Sequence, residues 1–140
     1  MKILYRAKAV SKGGRDGQVT VENSPIQFEM ALPAELAGTK AVGFNPEQLF
    51  AAGYSACFGS ALQHVYKVKR LKMEPPEVHA NVGIGRNDAG GFALAVDLEG
   101  VFTGVDQATA DALMAEAHLV CPYSNATRGN IEVTLTAKVK

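Results

Sequence analysis

Asn45-Pro46-Glu47-Gln48-Leu49-Phe50-Ala51-Ala52-Gly53-Tyr54-Ser55-Ala56-Cys57-Phe58-Gly59-Ser60-Ala61-Leu62 sets the architecture of this chain. Asn45 can cap a helix, Pro46 suits the first helical position, and Gln48 stands where a capping-box side chain reaches back. The pattern predicts a helix from this start to about Lys69. Between Leu49 and Leu62 almost every residue is apolar or small and none is charged. Such a segment has no solvated face and reads as a central helix buried on all sides.

On the N-terminal side the spacing is strand-like. Leu4 to Ser11, a turn at Gly13-Gly14-Arg15-Asp16-Gly17, Gln18 to Glu22, and then Ile26, Phe28 and Met30 at period two predict a three-stranded antiparallel meander. Leu32 to Phe44, with Pro33, Gly38 and Gly43, reads as a loop. On the C-terminal side, Val78 to Ile84 and Phe92 to Leu98 alternate around Asn87-Asp88-Ala89-Gly90-Gly91 and predict a hairpin. Asp106 can cap a second helix carrying Ala110, Leu113, Met114 and Ala117 on one face and ending near Cys121-Pro122. A short turn or helix from Tyr123 to Arg128 precedes a last strand, Ile131 to Lys140. The class is α+β, in one domain spanning residues 1–140.

Composition narrows the function. With 47% apolar residues in 140, the chain can bury a core without disulfide or metal staples. Fourteen basic residues balance fourteen acidic ones, so no net field exists to hold nucleic acid or an anionic membrane surface. Lys2, Arg6 and Lys8 interrupt the stretch where a signal peptide needs an apolar run, and no segment has the length of a membrane span. A cytoplasmic protein is expected. Its two cysteines form neither a zinc pattern nor a Cys-x-x-Cys pair, and His64 and His118 lack a third ligand at suitable spacing. No bound metal or cofactor is expected.

In a reducing compartment such cysteines are either packing residues or agents of transient redox chemistry. Cys57 lies among small residues that let another group approach the helix closely. A thiol of ordinary pKa is only roughly 3% thiolate at pH 7, so reactivity requires a nearby cation. Arg15, in its glycine turn, is the candidate; otherwise it is a solvated hairpin tip. Glu47 either complements the helix dipole or serves the same site. The helical rise from position 47 to position 57 is about 15 Å, more than a glutamate spans. On a continuous helix, Glu47 therefore serves the Cys57 of a partner chain or acts through Arg15. Cys121 stands at a helix end, where a thiol can swing toward a partner or be buried.

Two segments carry a resemblance: Asn45 to Phe58 as quoted above, and Val120-Cys121-Pro122-Tyr123-Ser124-Asn125-Ala126-Thr127-Arg128-Gly129-Asn130. Together with the turn at Gly14 to Gly17, they resemble the cysteine motifs of the organic hydroperoxide resistance proteins, which belong with the OsmC-type proteins. The likeness runs over essentially the whole chain. It implies that Cys57 is the peroxidatic cysteine, Cys121 the resolving one, Arg15 the residue that stabilises the thiolate and Glu47 the one that orients Arg15. It further implies an intertwined homodimer with antiparallel sheets around two central helices, and reduction of the disulfide by dihydrolipoyl groups, dihydrolipoamide or a lipoylated protein. Leu49, Phe50, Tyr54 and Phe58 are candidates to line a pocket for an organic tail. The other readings are an OsmC-type peroxidase of broader range, a dimeric binder of apolar ligands with packing cysteines, and a redox sensor.

Overall fold

The computed structural model describes residues 1–39 and 42–140. They form two compact parts, residues 1–49 and 50–140, each with a three-stranded sheet.

In the first part the predicted meander is present as β1 (Ala9–Lys12), β2 (Gln18–Val21) and β3 (Gln27–Glu29), all antiparallel. The alternation that begins at Leu4 becomes regular strand only at Ala9. Beyond the bond from Glu22 N–H to the Lys8 carbonyl (2.9 Å), β2 offers residues 1–7 no backbone to pair with, and Leu4 and Tyr5 stand exposed. Between β1 and β2, Gly14–Asp16 make a single 3-10 turn. A Cβ on Gly17 would run into the Lys12 backbone carbonyl, which cannot move without breaking the hairpin. Gly17→Ala is therefore expected to destabilise this part by about 2 kcal/mol, read as a lower urea midpoint. Within the predicted loop, Ala34–Leu36 form another 3-10 turn and Met30 makes a parallel bridge to Phe44. The loop prediction for positions 40 and 41 lies outside the described residues.

Helix α1 (Pro46–Lys69) starts as its sequence requires. Gln48 N–H donates to Asn45 Oδ1 (2.8 Å), and Asn45 N–H donates back to Gln48 Oε1 (2.9 Å), a reciprocal capping box. It ends with Arg70 in the left-handed region (φ 57°) and Leu71 N–H returning to the Tyr66 carbonyl at 2.9 Å, a Schellman closure.

In the second part, β4 (Glu77–Arg86) and β5 (Phe92–Phe102) form the predicted hairpin. Gly91 N–H donates to Asn87 Oδ1 (2.8 Å) at its tip. Helix α2 (Gln107–Val120) is capped by Asp106, whose Oδ1 accepts from Thr109 N–H at 2.7 Å. A short α3 (Pro122–Thr127) leads to β6 (Val133–Val139). One pairing departs from an all-antiparallel sheet: β6 lies parallel to β5. The two helices between them carry the chain back to the end where β5 began, and a helical crossover of that kind gives parallel neighbours.

Tyr54, Phe58, Leu62 and Val65 of α1 join Val96, Leu98 and Phe102 of β5 and Leu113, Met114 and Ala117 of α2 in one hydrophobic core. The central helix is not buried on all sides within the chain. Ala52, Ala56, Ser60 and Gln63 form an exposed stripe. Lack of charge does not tell a face buried within the chain from one left open to a partner, and alanine and serine have too little apolar area to force burial within it. No helix among the described residues is long and apolar enough to cross a membrane.

Candidate functional site

The four residues singled out from sequence fall into two pairs. In the first part, the turn at Gly14–Asp16 presents Arg15 to the first turn of α1, where Nη1 and Nη2 each donate to one carboxylate oxygen of Glu47 at 2.7 Å. This is the fork-to-fork geometry that fixes a guanidinium in orientation as well as position. The hydrogen bonds from Arg15 hold the Glu47 carboxyl below its usual pKa against the opposing effect of burial. The Arg15 guanidinium is correspondingly raised by Glu47.

A carboxyl depressed in the folded state contributes stability that is complete above its unfolded pKa and is lost as pH falls through the lowered folded value. Glu47→Gln is thus expected to cost stability at neutral pH, and the difference from the parent should shrink below about pH 4. Urea unfolding of both proteins from pH 3 to 7 checks this.

In the second part, Cys57 Sγ and Cys121 Sγ lie 3.7 Å apart as free thiols. A covalent S–S bond is about 2.05 Å, so the sulfurs are in contact and unbonded. Cys57 is half-buried and Cys121 fully buried. Burial pushes the Cys57 thiol pKa up, a backbone hydrogen bond from Tyr123 opposes this, and the adjacent Cys121 thiol adds to the rise. Its thiolate therefore needs a cation to form near neutral pH.

Cys121 ends α2 and caps α3, with an extended backbone and Pro122 at the first position of the next helix. Its N–H donates to the Ala117 carbonyl and its own carbonyl accepts from Asn125 N–H, both at 2.9 Å. It is thus a braced corner between two helices, where the sequence suggested a deformable end. Motion of its sulfur has to come from side-chain rotation.

Around the sulfurs stand aromatic rings. Phe50, Tyr54 and Tyr123 have ring centroids 5.6 to 5.9 Å apart. Tyr123 comes this close because position 53 is glycine: a Cβ there would stand 2.9 Å from its hydroxyl. Of the pocket candidates, Tyr54 and Phe58 are wholly buried in the core, while Leu49 and Phe50 are partly accessible. Tyr123 escaped the sequence-based list, although it follows Cys121 by two positions and its ring is partly exposed.

His118 is partly buried, its Nδ1 has no hydrogen-bond partner among the described residues, and burial pushes its pKa down, with the Arg128 charge adding to the effect. Among the described residues no group of three or more His, Cys, Asp or Glu side chains could hold a metal ion.

The profile of the OsmC-like protein family matches residues 38–136. An organic hydroperoxide resistance protein of Xanthomonas axonopodis pv. citri (strain 306) is 47% identical over 137 residues, covering 96% of this chain and 95% of that one. The crystal structure of an organic hydroperoxide resistance protein from Elizabethkingia anophelis superposes with a TM-score of 0.94 at 49% identity over the full length of both chains. That of an organic hydroperoxide resistance protein from Legionella pneumophila gives 0.93 at 44% identity, covering 99% of this chain and 100% of its own. Motifs, fold and relatives agree, and the chain belongs to the OsmC-like family, among the organic hydroperoxide resistance proteins.

Proposed function

We propose that this protein is a thiol peroxidase that reduces organic hydroperoxides to alcohols, with Cys57 as nucleophile and Cys121 as resolving thiol. The observation that carries the reading is the pair of free thiols at 3.7 Å, one accessible and one buried. In the first step the Cys57 thiolate attacks one peroxide oxygen, the O–O bond breaks, and the departing alkoxide takes a proton to become the alcohol. Cys57 is left as a sulfenic acid. Cys121 then attacks that sulfur, water leaves, and a disulfide forms. A dihydrolipoyl dithiol, free or on a lipoylated protein, restores both thiols with two electrons.

Arg15 is assigned the cation that stabilises the thiolate and hydrogen-bonds the peroxide, held ready by its two bonds to Glu47. Because α1 is continuous from Pro46 to Lys69, the rise of about 15 Å from Glu47 to Cys57 favours a site to which two chains contribute. A homodimer would also cover the small-residue stripe of Ala52, Ala56 and Ser60 and the exposed Ile3, Leu4 and Tyr5. Phe50 and Tyr123 offer apolar surface worth about 25 cal/mol per Å² to an alkyl or aryl tail, which hydrogen peroxide lacks. The reaction suits the reducing cytoplasm.

The test is steady-state consumption of an alkyl hydroperoxide with dihydrolipoamide as electron donor. Sustained turnover, faster than with hydrogen peroxide, is expected. An absence of turnover with this donor would remove the lipoyl assignment, and sedimentation as a monomer would remove the shared site.

A further inference from the structure

We infer that Tyr54, Ser124 and Thr127 form a positioning clamp that governs how readily Cys57 and Cys121 join. The inference rests on the redox reading of the two cysteines above. Tyr54 lies one helical turn before Cys57 on α1, and Ser124 lies one turn after Cys121 in α3. The Tyr54 hydroxyl is 2.9 Å from Ser124 Oγ and 3.2 Å from Thr127 Oγ1, and all three side chains are buried. Two rungs therefore cross between the same backbone segments, one of hydroxyls and one of sulfurs.

Counting protons gives the rung a direction. Thr127 Oγ1 donates toward backbone carbonyls, that of Tyr123 at 3.0 Å and that of Ser124 at 3.2 Å, and a carbonyl can only accept. With its one proton so used, Thr127 accepts from Tyr54, and Tyr54 in turn accepts from Ser124. Removing the Tyr54 oxygen strands a donor on Ser124 and an acceptor on Thr127 in a site closed to water, which costs more than one lost bond.

To bond, the sulfurs must close from 3.7 Å to about 2.05 Å. The clamp holds α3 against α1 while they do so, leaving only side-chain rotation to be restricted. It acts as a positioning device, raising the effective concentration of one thiol at the other.

The parent, Tyr54→Phe, Thr127→Val and Thr127→Ser are equilibrated with mixtures of reduced and oxidised dithiothreitol, and the Cys57–Cys121 disulfide is quantified by mass. In this exchange the dithiothreitol disulfide is reduced as the protein dithiol is oxidised. Tyr54→Phe and Thr127→Val are expected to shift the equilibrium toward the thiols roughly fivefold, whereas Thr127→Ser, which keeps the hydroxyl, stays with the parent. Under excess alkyl hydroperoxide the first two should also give more Cys57 sulfinic acid at an unchanged rate of initial thiol loss. Parental equilibria in both Tyr54→Phe and Thr127→Val, or a Thr127→Ser that behaves like Thr127→Val, would overturn the clamp. If the parent ignores hydroperoxide yet the dithiothreitol equilibria shift as stated, the peroxidase reading fails and the clamp stands.

Discussion

Cys57→Ser is expected to reduce hydroperoxide consumption to the rate of buffer and reductant alone. The one other cysteine of the sequence is Cys121, fully buried at 0% exposure, so no second thiol is placed to take over the attack. Serine is nearly isosteric and leaves the core of Tyr54, Phe58 and Leu62 undisturbed. Its hydroxyl ionises far above the range in which a thiol does, so near neutral pH it stays protonated and a poor nucleophile. The loss should thus be one of chemistry, with the thermal midpoint kept near that of the parent. Retained turnover in Cys57→Ser would remove the peroxidase reading altogether.

Arg15→Ala should give the next largest loss, about 100-fold at pH 7. Burial and the Cys121 thiol raise the Cys57 pKa, and a cation has to bring it back. At a pH well below the pKa, the thiolate fraction rises in proportion to the acidity of the thiol. A neighbouring cation typically makes such a group about ten to a thousand times more acidic, and 100-fold is the middle of that range. The signature is a pH profile: alkylation of Cys57 by iodoacetamide should titrate below the ordinary thiol value in the parent and above it in Arg15→Ala. Raising the pH should restore the variant's rate. A pKa unmoved by the substitution would break the link between Arg15 and Cys57. Glu47→Gln should move the profile in the same direction by less, because the guanidinium remains but loses its bidentate anchor.

How far the sequence could be read varied with the range of the interactions involved. The start of α1 was legible to the residue, because Asn45, Pro46 and Gln48 act within one turn. The same holds for Asp106 and for the Asn87 turn. The α+β class followed from alternation and apolar runs. The direction of β6 was not legible, since the alternation of Val133 to Val139 is the same in a parallel or an antiparallel neighbour. Nor was the exposure of Ala52 and Ser60, because small residues tolerate either environment.

At the site, Cys57, Cys121, Arg15 and Glu47 were all named from motifs, and Arg15 and Glu47 are found paired through two hydrogen bonds. The hydroxyl chain through Tyr54, Ser124 and Thr127 had no sequence signal. Its members are 70 and 73 positions apart, and only the packing of α3 on α1 reveals that three unremarkable polar residues share one dry contact.

The central claim is that the two sulfurs 3.7 Å apart are a reactive pair. It is tested most directly by adding one equivalent of an organic hydroperoxide to the reduced protein and analysing the intact mass and the non-reduced peptides. The predicted result is loss of two hydrogens per chain and a single cross-linked peptide joining Cys57 to Cys121 within the same chain. An unchanged mass with both thiols still free to alkylate would contradict it.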